Sequence, residues 1–354
     1  MFQAYVCDAI TGAVLDRVAV SDFTWERLLS AGGSGKVTIP IDDTYSKSQL
    51  RTLTQHWSTI WALESDRGLE YMGYVTNRGY KRGSHSIELG LSDLWGLLPR
   101  RGAWDHSAPH VEDWSTTATV SLAQHAANAL IRGRDTGPSL PKMGIPVTIP
   151  GFGGTAYKRT WYGYHVQTVD DVFQDLMSEG LDVFFEPRWV VVDGQVDWLM
   201  RAGPSWGSGT VHEFSVTAAF SQVNEFSESG DGSRITNNAR YVGEGSERDM
   251  LVRSSRNTAS SYPLLDRITS EKQVDDVAAL ARMASNDLSM YAQPTFQWDF
   301  SVPIDEGVQV GDTVRLLFDG DPWITDGWHT RRVVKVSGGM KSFVNVSLQP
   351  IGGA

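Results

Sequence analysis

The sequence predicts a mainly β protein in which two antiparallel β-barrel-like tube domains flank a mixed α+β insert. Three observations carry that prediction. Short apolar runs punctuated by Gly, Asp and Asn fill both ends of the 354-residue chain. Most helical periodicity gathers in the middle, with one further helical stretch at each end. Trp equals Phe at 13 each, beside 35 Gly, a composition of large side chains filling small β structures or subunit contacts. The expected units are 1–100, an N-terminal tube domain; 101–205, the insert; and 206–354, a C-terminal tube domain with one long helix.

In the first unit, residues 2–9 are an apolar run, 8–12 supply turn residues and 14–20 return, a hairpin pattern. Residues 23–29 are apolar-rich. The SAGGSG of 30–35 breaks them, and KVTIP begins again at Lys36. Residues 46–55 read as a short helix. Residues 57–64, 69–79 and 85–91 then alternate, with turns at 66–68 and 81–84. One short helix among hairpins fits a small antiparallel barrel.

In the insert, Ser115 stands where a cap would open a helix running to Ile131, with Val120, Leu122, Ala123, Ala126, Ala127 and Leu130 on its apolar side. The Gly/Pro-rich stretch 133–154 is too long for a plain connector and is expected to reach a neighbouring subunit or protein. Thr168 caps a second helix: Val169, Val172, Phe173, Leu176 and Met177 have helical spacing, and Gly180 stops it. Residues 181–186, 188–192 and 196–200 read as strands, the last two joined by the hairpin signal Asp193-Gly194.

In the last unit, 211–226 alternate and 237–242 are extended. Residues 244–261 are polar and poor in apolar side chains, the pattern of a loop that orders on assembly. Ser270, with Gln273 three residues on, has capping-box spacing and opens the longest helix, with Val274, Val277, Ala278, Ala281, Met283, Ala284 and Leu288 as its stripe. Pro294 ends it. Five short strands follow, at 296–302, 312–318, 323–325, 332–336 and 343–348. One helix interrupting the strands at each end hints at an internal duplication, without a residue-level repeat.

Composition removes several function classes. Lys and Arg number 31 against 42 Asp and Glu, a net charge of −11, distributed as −1 over 1–100, −4 over 101–205 and −6 over 206–354. A basic surface for nucleic acid or anionic membrane is not expected from that balance. Arg exceeds Lys by 23 to 8, a bias that GC-rich coding produces by itself. Cys7 is the one cysteine, so neither a disulfide framework nor a Cys-based zinc site forms within one chain. No apolar run reaches the ~18–20 residues of a membrane span, and MFQAYVCDAITG lacks the pattern of a secretion signal.

Catalytic motifs mostly fail. GGSGK at 32–36 lacks the first Gly of a phosphate loop, and Val37 stands where a magnesium-binding Ser or Thr belongs. H-E-x-x-H does not occur, and Ser208 between Gly207 and Gly209 lacks the flanking spacing of a nucleophile elbow. Asp105, His106, His110 and Asp113 cluster in WDHSAPHVEDW and are weak candidates for a zinc or other divalent site, but Pro109 breaks a helical presentation. Asp170, Asp171 and Asp175 suit a helix start, and Asp319 and Asp321 a turn. The sequon Asn345-Val346-Ser347 falls inside a predicted strand. No catalytic or cofactor-binding residue is assigned, and the chain is read as no enzyme.

Several segments together resemble a known family. They are WERL at 25–28 with the following SAGGSGKVTIP, WAL at 61–63 with YMGYV at 71–75, LDVFFEPR at 181–188 after its helix, and VGDTVRL at 310–316 followed by VVKV at 333–336. They are similar to the minor tail or tail-hub (baseplate hub) proteins of siphophages, above all those of actinobacteria. The resemblance implies a virion protein of the tail tip, assembled in the host cytoplasm, with no cofactor. It implies a homotrimer whose paired tube domains present a pseudo-sixfold ring. Its implied partners are a distal tail protein, the tape-measure protein and tip, fibre or receptor-binding proteins. The chain stops just past its last strand, as a hub alone would.

That resemblance gives the acidity a use, because DNA must pass a hub without sticking and an acidic lumen repels phosphate. Two alternatives stay open. A tail-borne cell-wall hydrolase would use Asp105, His106, His110 and Asp113. A glycan- or receptor-binding tail protein would use exposed Trp104, Trp114 or Trp206.

Overall fold

The computed structural model describes residues 1–42, 44–103, 116–135, 144–272 and 274–350. The first end forms β1 (Gln3–Asp8), β2 (Val14–Val18), β3 (Asp22–Leu28), β4 (Ala31–Pro40), α1 (Lys47–Leu53), β5 (Thr59–Ser65), β6 (Gly68–Tyr80) and β7 (Ser86–Ser92). The middle forms β8 (Thr116–Val120), α2 (Leu122–Asp135), β9 (Val147–Thr148), β10 (Tyr157–Trp161), α3 (Val169–Ser178), β11 (Leu181–Val191) and β12 (Gln195–Pro204). The remainder forms β13 (Val211–Ser215), β14 (Asn224–Asp231), β15 (Asn238–Val242), β16 (Val252–Arg256), β17 (Asp266–Ser270), α4 (Val277–Met290), β18 (Thr295–Pro303), β19 (Thr313–Phe318), β20 (Gly327–Gly339) and β21 (Phe343–Pro350).

Local chemistry sets many of these ends. Ser46 and Gln49 close a capping box on α1, and Thr168 and Asp171 close one on α3. Gly180, at φ +95°, ends α3 in a conformation that side chains resist. Other ends differ from expectation. The β-branched TTATV is strand β8, and α2 starts after it, with Ser121 Oγ accepting from Gln124 N at 3.1 Å. The expected cap Ser115 lies outside the described residues. Ser270 ends β17 and does not open a helix. α4 begins at Val277, capped by Asp276, which accepts from Ala278 N at 2.8 Å; Gln273 lies outside the described residues. Within 244–261, expected as a loop, β16 pairs with β15. The described end of 133–154 turns inward: Ile145 and Val147 are buried, and β9 pairs in parallel with β12.

The two expected barrels are replaced by one sheet of 13 strands. Its order is β14-β18-β21-β20-β3-β4-β7-β6-β5-β1-β2, with β19 also on β20 and β13 beside β19. Neither end closes on itself by strand pairing among the described residues. The reason is the length of β20, 13 residues, or roughly 40 Å of strand. Its first half pairs with β19, from Phe318↔Gly327 to Thr313↔Arg332. Past a bulge at Val333/Lys335 the same edge pairs with β3, from Lys335↔Leu28 to Gly339↔Thr24. One strand thus lies in both halves, and the sheet has no seam at which to close separately.

Three apolar clusters hold the layers. The largest lines one side of the sheet and mixes both chain ends: Phe23, Trp25, Trp61 and Tyr71 with Trp298, Phe318, Val333 and Val346. The second joins the other side of β1, β5 and β6 to the insert, through Tyr5, Ile60, Met72 and Tyr74 against Leu130, Phe173, Phe185 and Trp198. Tyr74 and Trp198 stack at 5.3 Å. The third packs Ala239 and Tyr241 on Leu280, Met283 and Ala284 of α4, under the small sheet β16-β15-β17.

Candidate assembly surface

Alternation along β3 buries Phe23, Trp25 and Arg27 and turns Asp22, Thr24 and Glu26 to the other side. Register carries that polar side across seven neighbouring strands. On β4, Ser34, Lys36 and Thr38 stand opposite Glu26, Thr24 and Asp22, and on β7 Ser92, Gly90 and Glu88 continue the rows. In the other direction Ser337 stands opposite Glu26, Asn345 opposite Ser337, Ser301 opposite Asn345 and Asn224 opposite Ser301. One pleat along, Lys335, Ser347, Asp299 and Ser227 form a parallel row.

This face is polar, and its strand lysines are ion-paired. Its carboxylates include Asp22, Glu26, Glu88 and Asp299, and its strand lysines are Lys36 and Lys335. Lys335 Nζ lies 2.7 Å from Glu26 Oε2, and Lys36 Nζ 3.0 Å from Glu88 Oε2. Ser34 Oγ donates to Glu26 Oε1 at 2.9 Å, and Gln297 Nε2 to both Asp299 oxygens at 3.0 Å. The Lys335 hydrogen bond, then that of Ser34, holds the Glu26 carboxyl below the usual range. At the β3–β20 junction the face dips into a groove of about 440 Å³ that includes Thr24, Lys36, Ser337, Lys341 and Phe343. Gly35 lies over the core there: a Cβ would sit 2.7 Å from Tyr71 Cε1. On β1, β5 and β6 the same side is apolar because the insert covers it. The polar rows are therefore the uncovered part of one sheet face.

A buried ionic knot joins the insert to α4. Glu179, at the end of α3, receives Arg159 of β10 and, at 2.8 Å, Arg282 of α4. Tyr162 Oη donates to Asp275 at 2.8 Å. Beside the knot, loss of hydration pushes the Asp175 carboxyl up to about 7; Arg159 opposes this and Glu271 adds to it.

The residues singled out for chemistry fare differently. Asp105, His106, His110 and Asp113, with Trp104 and Trp114, lie outside the described residues. Among the described residues no group of three or more His, Cys, Asp or Glu is arranged to hold a metal. Trp206 stacks on Phe184 at 5.9 Å and covers Gly311, so its ring is engaged within the chain. GGSGK lies in β4, where Gly33 N donates to Asp93 Oδ2 at 2.7 Å; a carboxylate fills the place a phosphate would need. Ser208, Asp312 and His212 do meet, but Asp312 is in the middle: His212 Nε2 lies 2.9 Å from its Oδ2, and Ser208 Oγ donates to Oδ1. A nucleophile must touch its base, so this is a clamp on a turn. No helix among the described residues is long and apolar enough to cross a membrane. The polar face was hidden from the sequence because its rows join residues far apart in the chain, such as Glu26 and Asn345.

No family model matches the sequence, and no curated protein matches it. Solved structures do. The 43 kDa tail protein of prophage MuSo2 from Shewanella oneidensis is similar over 99% of this chain and 98% of its own, with TM-score 0.62 and 10% identity. A tail protein from Neisseria meningitidis MC58 covers 98% and 96%, with TM-score 0.56 and 16% identity. The chain shares the fold of these tail proteins. The Escherichia coli c3393 protein, a type VI secretion component described as structurally similar to T4 tail proteins gp27 and gp5, covers 95% of this chain and 74% of its own, with TM-score 0.50 and 10% identity.

Proposed function

We propose that the protein is a structural, non-enzymatic subunit of a phage tail tip, a baseplate hub of siphophage type that resides in the virion. Three copies form a ring whose two β regions per copy, 1–100 and 206–354, give pseudo-sixfold symmetry. The ring joins the tail tube, through a distal tail protein, to tip or fibre proteins, next to the tape-measure protein. The polar face of β14-β18-β21-β20-β3-β4-β7 lines the channel through which DNA passes.

The observation that carries this reading is that face. Both chain ends contribute to it, it has more carboxylates than lysines, and its strand lysines Lys36 and Lys335 are already paired. Such a surface repels phosphate more than it attracts it. The full-length likeness to tail proteins supports the same reading.

Thr24→Cys and Asn345→Cys test it, because both residues are exposed on the face and belong to opposite chain ends. In assembled tails both thiols are expected to react with a small maleimide and to resist one carried on a bulky polymer. Free reaction with the bulky reagent at both positions refutes a channel face. A reconstruction of the tail tip then reads the ring symmetry directly.

A further inference from the structure

The small sheet β16-β15-β17 packs one face on α4 and leaves the other open. Register places Arg240 beside Ser254 and Ile268 on that open face, Asn238 beside Arg256 and Asp266, and Val242 beside Val252 and Ser270. Ile268 is 67% exposed and Val252 39%. Arg240 and Arg256 are exposed, as are Arg248 and Arg253 close by in the chain. Elsewhere the arginines of the strands are commonly paired: Arg17 with Asp193, Arg188 with Asp197, Arg201 with Glu186, Arg315 with Glu213, Arg332 with Asp182. Among the described residues these four make no ion pair, and Asp266, the carboxylate on the open face, accepts from Asn238. A chain of net charge −11 thus presents the unpaired Arg240 and Arg256 beside Ile268 on one open face.

The complement lies at the other end of the chain. Asp42 is exposed and Asp16 half-buried, and neither has a basic partner among the described residues. Both lie close enough to Tyr45 to add to the effect of burial in raising its phenol pKa. Tyr45 itself is half-buried, with Oη donating to Arg17 O at 3.2 Å. An aromatic flanked by carboxylates matches an isoleucine flanked by arginines. Duplex DNA would match the arginines alone and leave Ile268 and Val252 against phosphate.

We propose that the open face of β16-β15-β17, through Arg240 and Arg256, docks on the Asp16 and Asp42 surface of a second copy of this chain. The two surfaces differ, so the contact is head-to-tail and closes only as a ring. This rests on the ring reading above and names one of its contacts.

The test is sedimentation velocity of the full chain over a concentration series at low and high salt. The wild type is expected to self-associate, and more weakly at high salt. Arg240→Glu with Arg256→Glu, or Asp16→Arg with Asp42→Arg, weakens association by about tenfold or more. All four changes in one chain restore it, because attraction returns with reversed signs. Thermal melts of the variants check folding, since Asp16 is half-buried while the other three positions are exposed. A wild type that stays monomeric overturns the proposal, as do reversals without effect or a four-fold variant that stays dissociated. Loss of duplex-DNA binding in the arginine variant, with association unchanged, assigns the face to DNA instead. Normal rings from the arginine variant remove this contact and leave the hub reading standing; absence of any ring in virions removes both.

Discussion

Lys335 and Glu26 face each other across the β20–β3 junction, Nζ 2.7 Å from Oε2, and so tie strands from opposite ends of the chain. The backbone ladder beneath them makes the two halves one sheet. The ion pair marks where the polar face crosses that junction.

Lys335→Ala is expected to cost little, about 0.5 kcal/mol, because both side chains are a third exposed and screened by water. Its pH signature is more informative. The Glu26 pKa is lowered in the folded state, so its contribution is present above the unfolded carboxyl range and is lost as pH falls through the lowered value. Urea midpoints measured from about pH 6 to 3 are expected to fall less steeply for the variant than for the wild type.

Gly35→Ala is expected to cost more, about 1–3 kcal/mol. The new Cβ meets Tyr71 Cε1 at 2.7 Å, and Tyr71 is fully buried, so the ring has nowhere to go. Denaturant unfolding measures the loss. Gly68→Ala is a contrast in which only backbone strain operates, since at φ +116° nothing lies within 4 Å of a Cβ.

Asp175→Asn is expected to flatten the stability profile near neutrality. A carboxyl raised to about 7 adds stability at acid pH, and that contribution is lost as pH rises through 7. Asp93 is also raised to about 7 by loss of hydration, so part of the slope survives in the variant. Unfolding at about pH 5.5 and pH 8 measures the difference for each protein.

Glu179→Gln is expected to destabilise by about 3–5 kcal/mol, because it leaves Arg159 buried without its charge partner. Calorimetry checks the loss. Hydrogen exchange is expected to rise first in α4, which loses the Arg282 tie to the insert.

Much of this was legible locally. The short helix after Ser46, the cap at Thr168, the hairpin at Asp193-Gly194 and the stop at Gly180 depend on neighbours within a few residues, and they stand as read. Where a long-range partner decided, the reading failed. TTATV became a strand because β10 pairs with it, and 252–256 became one because β15 does. The helix opening moved from Ser270 to Asp276 because Ser270 pairs with Val242 in a parallel ladder.

The sequence by itself determined a mainly β chain with a mixed middle, and an apolar side for strands that alternate, such as β3 and β19. Only the tertiary structure decided that the β regions are one sheet, that the insert covers part of its second face, and that the rest is a polar surface. Strand order and register are relations between distant residues. A 13-residue strand can serve two neighbours along one edge, and nothing in its own sequence says which two.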